Sequence, residues 1–245
     1  MQCPKRSTLS GLLSAGRLAA LCLTGLGALL AARPAHANVR DFAYTYEWFT
    51  PFVDEHEIEL WLTYNEEAET MDYWVEYERA ITEQYGQGLY LMFRDEPGSG
   101  LEWNGVKWEH RYRFGEFEAD RWLHAAYFEW KKEPGEPHEL EAKWLLTRYD
   151  SDDSVLAANL IVEKALEGGH DVEFGYAAGW NRPVSDRWRA GLETRGNFTD
   201  GKYYIGPNAT VDLGDRSRLI ATALAGLTPE SDAFTLRVVG EWEFF

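Results

Sequence analysis

The chain has 245 residues, of which 24 are Lys or Arg and 41 are Asp or Glu, so its formal charge is −17. Aromatic residues make up 15% of the sequence, which argues against a disordered protein, because chains that fail to fold are poor in aromatic residues. The excess of acid argues against nucleic acid as a partner, since nucleic-acid binding needs a basic patch. The length corresponds to one large domain or two small ones.

Residues 1–37 have the three parts of a secretory signal peptide. Basic residues without any acid occur between positions 5 and 17, an apolar run covers residues 18–32, and Ala35 and Ala37 frame a site for cleavage after Ala37. The apolar run is shorter than the roughly 20 residues of a membrane-spanning helix, which makes a membrane anchor the less favoured alternative. The sequence therefore predicts export through the inner membrane.

Removal of this segment changes the length and the net charge of the chain. It takes four basic residues and no acid with it, which leaves 208 residues with a charge of −21. Both cysteines, Cys3 and Cys22, leave as well, so the exported chain cannot use disulfide bonds. Residues 38–55 then form an N-terminal lead-in segment, for which a periplasmic lead-in, an extra strand and a plug are all open. Residues 56–245 form the predicted barrel.

From residue 56 onward, apolar and polar residues alternate with a period of two, which is typical of β-strands. In the first such segment, Ile58 and Leu60 share one face, and Glu57 and Glu59 share the other. The same alternation predicts strands at 56–64, 71–79, 89–94, 106–114, 122–130, 139–147, 156–163, 172–180, 187–195, 203–213, 218–225 and 234–244.

Turn-forming residues separate these segments, as in Asp95-Glu96-Pro97-Gly98 and Lys132-Glu133-Pro134-Gly135. Twelve strands in the exported chain leave about 17 residues for each strand and its connection, of which a membrane-spanning strand uses about 9–11. Ten strands remain an alternative if two weak segments belong to loops.

The two faces of these strands differ in a way that favours a membrane barrel. The polar faces are heavily charged and the apolar faces are long and aromatic, whereas a soluble barrel needs apolar side chains inside. Aromatic residues such as Trp103, Trp130 and Trp180 stand near predicted strand ends, where membrane barrels carry their interfacial girdles. The predicted fold is an all-β, antiparallel, up-and-down transmembrane β-barrel of about twelve strands.

The chain ends on an aromatic strand that contains Trp242, Phe244 and Phe245. Together with the signal peptide and the alternating strands, it resembles a Gram-negative outer-membrane β-barrel protein. In that class a C-terminal Phe with an aromatic residue two positions earlier is read by the barrel assembly machinery. Trp242 and Phe244 match this spacing, and Phe245 is one residue extra.

Three further segments, 137–141 (PHELE), 156–160 (LAANL) and 204–207 (YIGP), resemble an uncharacterised family of proteobacterial outer-membrane proteins. This resemblance covers most of the exported chain. It implies a location in the outer membrane, with lipid, lipopolysaccharide and the assembly machinery as partners, and it implies no particular activity.

The polar faces of the strands predict a charged barrel lumen. The residues expected to face it are Glu57, Glu59, Asp72, Glu76, Arg111, Arg113, Glu139, Glu141, Lys143, Glu173, Arg187, Arg189, Glu193 and Arg195. Because a barrel of twelve strands is only somewhat wider than one that side chains can fill, we expect a narrow or plugged lumen.

Catalytic motifs are weak in this sequence, and no cofactor is expected. The serines after residue 37 all fall in predicted connections, and no G-x-S-x-G motif frames any of them. One pair of possible metal ligands stands out, because a turn centred near Phe117 would place His110 opposite His124. No third ligand accompanies them, so two histidines packed at the membrane interface are the favoured interpretation.

Three functions from different classes remain. The preferred one is an outer-membrane barrel without enzymatic activity, either a narrow pore for small solutes or a structural barrel. The second is an outer-membrane enzyme acting on lipid, lipopolysaccharide or peptide, which requires a His with a Ser or an acid at one rim. The third is a secreted soluble β-sandwich that binds carbohydrate through exposed Trp residues.

Overall fold

Twelve antiparallel strands form a closed barrel in a computed structural model that describes residues 40–168 and 171–244. The strands are β1 (His56–Asn65), β2 (Thr70–Thr82), β3 (Tyr85–Glu96), β4 (Gly100–Phe114), β5 (Trp122–Lys132), β6 (His138–Tyr149), β7 (Val155–Ala165), β8 (Glu173–Pro183), β9 (Trp188–Asn197), β10 (Lys202–Gly214), β11 (Ser217–Gly226) and β12 (Phe234–Phe244). Each pairs with its neighbours along the chain, and β1 pairs with β12. Closure removes the free edges that prevent an open sheet from spanning lipid.

All twelve predicted strands are present, so the alternative of ten strands is not observed. The largest differences lie at the ends of β3 and β4, which begin four and six residues before their predicted starts. Glycines explain the difference, because Gly86, Gly88, Gly100 and Gly105 have no side chain from which an alternation could be read. Strand pairing extends through them nonetheless.

The strands point their apolar faces outward, as the sequence predicts for a membrane barrel. Val75 on β2 is 37% exposed and Phe174 on β8 is 52% exposed, whereas Glu76, next to Val75, is 1% exposed. A soluble sandwich would bury Val75 and Phe174 in a dry interior between two sheets. The alternative of a secreted soluble sandwich is therefore wrong.

The connections at both ends of the barrel are short. Those after the odd-numbered strands β1, β3, β5, β7, β9 and β11 lie at one end, which we call the loop end. The remaining connections lie at the other end together with the chain segment that leads into β1, and we call this the terminal end. With both ends of the chain in the periplasm, the loop end is predicted to face the outside of the cell.

Some sequence predictions fall outside the described residues. The signal peptide at residues 1–37 does so, and so does Phe245 of the assembly signal. The other two residues of that signal, Trp242 and Phe244, lie on the outward face of β12. Within the described ranges, no α-helix has the length and apolar character needed to cross a bilayer.

Candidate functional site

The barrel lumen carries a dense set of charged side chains, because every second residue of a strand points inward. Of the predicted lumen residues, the following are buried: Glu57, Glu59, Asp72, Glu76, Arg111, Arg113, Lys143 and Glu193. Half-buried lumen positions are Glu139, Glu141, Glu173, Arg189 and Arg195. Arg187 lies instead in the exposed turn before β9, at the terminal end, because β9 begins only at Trp188.

Residues 40–51 occupy the lumen, and we call this segment the luminal plug. It contains no strand, and almost all of it is buried, including Phe42, Ala43, Tyr44 and Trp48. Its hydrogen-bond partners lie on strands all around the barrel, from β1 to β12. The segment therefore runs through the interior of the barrel, enclosed by its wall.

A single carboxylate on β9 holds the centre of the plug. Glu193 accepts hydrogen bonds from the backbone N–H groups of Ala43, Tyr44 and Thr45, at 3.2, 2.6 and 2.6 Å. The hydroxyl of Thr222 on β11 donates a further bond to it at 2.7 Å. Three successive backbone donors are thus satisfied by one side chain, in place of the neighbouring strand that a ladder would supply.

The next part of the plug is bound by β6 and β7. Asn159 forms a two-way pair with Tyr46, accepting its N–H at 2.7 Å and donating to its carbonyl oxygen at 2.8 Å. The N–H of Trp48 donates to the hydroxyl of Thr147 at 2.9 Å. A buried amide and a buried hydroxyl inside a barrel therefore serve to bind a backbone.

Ion pairs fix the first residues of the plug. Arg40 contacts Glu59 on β1 at 3.1 Å, and Asp41 contacts Arg189 and Arg218 on β9 and β11 at 2.9 and 3.0 Å. Asp41, Glu59 and Arg218 are buried, and Arg40 and Arg189 are half-buried. Pairing therefore offsets the desolvation penalty that each buried charge alone would incur.

Glu47 is a buried acid within the plug. It accepts hydrogen bonds from the Asp41 N–H at 2.6 Å and from the Tyr149 hydroxyl at 3.1 Å. Burial, followed by the nearby Asp41 carboxyl, raises the pKa of Glu47 to about 8. The docked plug therefore holds this side chain neutral at neutral pH.

Aromatic rings of the plug pack against cationic side chains of the wall. The Tyr46 ring lies 4.0 Å from the Lys143 ammonium and 4.8 Å from the Tyr127 ring, measured to ring centroids. The Tyr44 ring lies 4.1 Å from the Arg237 guanidinium. Contacts of this kind are attractive in a desolvated setting, and they fill the lumen with side chains.

Phe42 fills a notch in the wall at Gly179. A Cβ at this glycine would stand 2.4 Å from the Phe42 ring, so no larger residue fits beneath that ring without movement. Phe42 itself is fully buried. The wall is therefore shaped to receive the plug at this point.

Two cavities open on either side of the plug. A cavity of about 460 Å³ is lined by loop-end residues such as Lys131 and Glu163, and its floor includes Tyr44 and Tyr46. A cavity of about 860 Å³ at the terminal end is lined by residues that include Asp41 and Phe49. We call them the loop-end and terminal-end vestibules. The plug contributes residues to both.

The predicted pairing of His110 with His124 is wrong. The turn between β4 and β5 is centred at residue 119, so His110 lies opposite Phe128 and His124 lies opposite Phe114. His110 shares a hydrogen bond with the hydroxyl of Tyr85 at 2.6 Å, and the His124 ring packs near Trp144. The register places the two rings apart, and neither forms a metal site with the other.

The second hypothesis, an enzyme, requires a His with a Ser or an acid at one rim, and the histidines of residues 40–168 and 171–244 have other partners. Of the histidines described there, His56 bonds to Tyr77, His110 to Tyr85 and His138 to Trp130, all through polar atoms of aromatic side chains. None of these three histidines hydrogen-bonds to a Ser or an acid.

Sequence reasoning missed the residues that bind the plug. Asn159, Thr147 and Thr222 are neutral, so a search for charged lumen residues passes over them. A usable signal was present, since a small polar residue on the inward face of a barrel strand requires a hydrogen-bond partner.

Comparison with known proteins shows which solved structures share this fold. No protein-family model and no curated protein matches this sequence. Solved structures do match, among them the KdgM porin, at 8% identity and a TM-score of 0.60 over 77% of this chain and 99% of that one. The NanC porin matches at 7% identity with a TM-score of 0.58, over 76% of this chain and 98% of that one.

A third match is the COG4313 outer membrane channel from Pseudomonas putida F1, at 10% identity. Its TM-score is 0.60, and the alignment covers 84% of this chain and 100% of that one. The chain has the barrel fold of outer-membrane porins and channels. At these identities the likeness concerns the fold, and the activity is argued from the lumen itself.

Proposed function

We propose that the protein is a Gram-negative outer-membrane pore for small solutes, closed at rest by its luminal plug. The observation that carries this proposal is the arrangement of the lumen: two vestibules approach each other from opposite ends, and a segment that forms no part of the wall lies between them. Because residues 40–51 take part in no strand pair, their movement would leave every strand pair of the wall intact and remove the plug from between the vestibules.

The location follows from the outward face. Exposed apolar side chains cover it on strand after strand, as with Leu91, Phe128, Leu160 and Phe174. In water such a surface is unfavourable, whereas acyl chains solvate it. We infer that lipid and lipopolysaccharide surround the barrel, and that the assembly machinery recognises Trp242, Phe244 and Phe245 at its end.

The size of the solute is set by the vestibules. A volume of about 460 Å³ lies in the range of sites that hold small molecules. Lys131 and Lys202 line the loop-end vestibule together with Glu139 and Glu163, so both signs of charge face the path. This mixture favours small polar solutes over a single class of ion.

Single-channel recording tests the proposal. Glu193→Ala removes the acceptor of three plug N–H groups, so the purified variant should conduct for a larger fraction of time than the wild-type protein in a planar bilayer. Glu173→Ala is the matched control, because Glu173 lies on the lumen side of β8 and hydrogen-bonds to Asn197 outside the plug. It should conduct for the same fraction of time as the wild type, although Glu173 lines the loop-end vestibule and its loss can change the size of the open current.

Silence of all three proteins at every voltage would refute the pore and leave a structural barrel. An equal fraction of conducting time in all three would refute the plug as the gate.

A further inference from the structure

Glutamates crowd one side of the lumen near the terminal end. Strand register brings Glu59 on β1 opposite both Glu76 on β2 and Glu241 on β12. Two groups result, within each of which a carboxylate oxygen from every member lies within 4.8 Å of the others: Glu57, Glu59 and Glu241, and Glu76, Glu78 and Glu109. All six residues are buried.

Few cations contact these carboxylates. Within residues 40–168 and 171–244, Arg40 pairs with Glu59, and Arg111 lies 2.5 Å from Glu109 and 3.7 Å from Glu78. Two guanidinium groups thus contact three of the six carboxylates. Like charges held together in a desolvated place are unfavourable, so the cluster requires a further positive charge or protons.

In the second group, buried carboxylate oxygens of two residues lack a hydrogen-bond donor. Glu76 is 1% exposed, and neither of its carboxylate oxygens has a hydrogen-bond partner among the described residues. The Oε1 atom of Glu78 has none either. Three buried oxygens thus converge without a donor, whereas both oxygens of Glu109 are engaged, one by Arg111 and the other by the Tyr90 hydroxyl at 2.8 Å.

The wall leaves room for the Glu76 carboxylate. Gly88 on β3 pairs with Glu78 on one side and with Glu109 on the other. A Cβ at this glycine would stand 2.5 Å from the Oε1 atom of Glu76. Because Gly88 has no side chain, the unpartnered carboxylate of Glu76 can lie beside those of Glu78 and Glu109.

A small chamber adjoins the cluster. It measures about 20 Å³ and is lined by residues that include Glu57, Glu59, Glu78 and Arg111. Of the three residues Glu76, Glu78 and Glu109, it borders only Glu78. A space of roughly 10–15 Å³ on this measure is enough for one water molecule, so the chamber has room for a water beside that carboxylate.

We propose that Glu76, Glu78 and Glu109 bind one divalent cation inside the barrel wall, with Ca²⁺ as the best match. Carboxylate oxygens are the ligands of hard cations, and Ca²⁺ accepts irregular sets of six to eight oxygens. Mg²⁺ requires near-ideal octahedral geometry and gives up its water reluctantly, so it should bind more weakly. The ion would offset the charge of the free carboxylate and tie β2 to β4 across Gly88.

Calcium binding to the purified full-length barrel, refolded in detergent without lipopolysaccharide, tests this site. Omission of lipopolysaccharide matters because its phosphates would bind the same ion. Calorimetric titration should detect Ca²⁺ binding, and Ca²⁺ should raise the unfolding temperature above its value in chelator, with a smaller rise in Mg²⁺.

The variant Glu76→Gln distinguishes a bound ion from protons shared among the carboxyl groups. If the ion is bound there, the variant loses about tenfold or more in Ca²⁺ affinity, and its unfolding temperature no longer responds to Ca²⁺. Glu173→Gln, at the loop end of the lumen, is the matched control and should keep the wild-type response. A wild-type protein indifferent to Ca²⁺, with Glu76→Gln more stable by the same amount in chelator and in Ca²⁺, would overturn the site in favour of protonated carboxyl groups.

Gly88→Ala provides a second variant in which all three carboxylates remain. The added methyl group displaces Oε1 of Glu76, a flexible side-chain end, so the barrel should fold and its Ca²⁺ affinity should fall. Wild-type affinity in this variant would contradict the geometry. None of these measurements involves conductance, so the site and the pore stand or fall separately.

Discussion

The wall of the barrel and the plug inside it satisfy the hydrogen-bonding needs of their backbones by different means. In the wall, most backbone N–H and C=O groups pair with a neighbouring strand, so side chains are free to be apolar outside and polar inside. In the plug, residues 40–51 form no ladder with a strand. Side chains of the wall such as Glu193 and Asn159 accept hydrogen bonds from the plug backbone instead. The wall tolerates sequence change that preserves the alternation, whereas the plug depends on particular side chains.

A charge on the outer face should have the largest effect, because it acts on the wall as a whole. Val75 lies between Leu60 and Leu91 in the register, in the middle of the outward face. We expect Val75→Arg to destabilise the folded barrel by about 2–4 kcal/mol in lipid.

Urea unfolding in vesicles measures this effect, with Val75→Leu as the control that keeps the face apolar. An unchanged unfolding midpoint for Val75→Arg would mean that this face does not contact acyl chains.

Loss of a plug contact should leave the wall intact. Asn159→Ala removes both hydrogen bonds to the Tyr46 backbone and should weaken docking of the plug by about 1–3 kcal/mol. Hydrogen exchange at the amides of residues 43–48 should accelerate, with no change at the strand amides. Acceleration at both would show that plug and wall unfold as one unit.

A methyl group at Gly179 probes the shape of the contact. Gly179→Ala would place its Cβ against the Phe42 ring, and we expect overpacking to weaken docking by about 1–3 kcal/mol. Phe42→Ala in the same chain removes the clash, so the double variant should dock no worse than Phe42→Ala alone. Additive losses would indicate that the two residues do not touch.

The effect of pH on docking of the plug should be smaller than the effects of these substitutions, and it should come from Glu47. Its pKa is raised to about 8 in the docked plug, above the ordinary value of a free Glu, because burial and the Asp41 carboxyl disfavour the charged form. The docked state then binds the extra proton. Docking is therefore most stable below the ordinary pKa of Glu, weakens as the pH rises, and changes no further above about 8.

Exchange at residues 43–48 should thus be slower at pH 6 than at pH 9 after correction for intrinsic rates. The plug variant Glu47→Gln has no proton to lose, and its docking should lack this dependence. Arg40, Asp41 and Tyr149 face the same carboxyl, so a dependence that survives Glu47→Gln would be assigned to them.

The predictions from sequence succeeded where a feature depends on neighbouring residues of a strand. Alternation identified all twelve strands and the outward apolar face, since a period of two is imposed by strand geometry at every residue. It missed the early starts of β3 and β4, where glycines interrupt the pattern. It misplaced His110 against His124, because the pairing depends on where the turn between β4 and β5 is centred, and two residues separate the predicted centre from the observed one.

By itself, the sequence predicted the wall: about twelve strands, their antiparallel order and the inversion of their faces, because each of these follows from neighbouring residues. Only the tertiary structure decided that residues 40–51 lie inside the lumen and that Glu76, Glu78 and Glu109 meet there. Those contacts join positions far apart in the chain, and closure of the barrel brings them together through a register that no local pattern encodes.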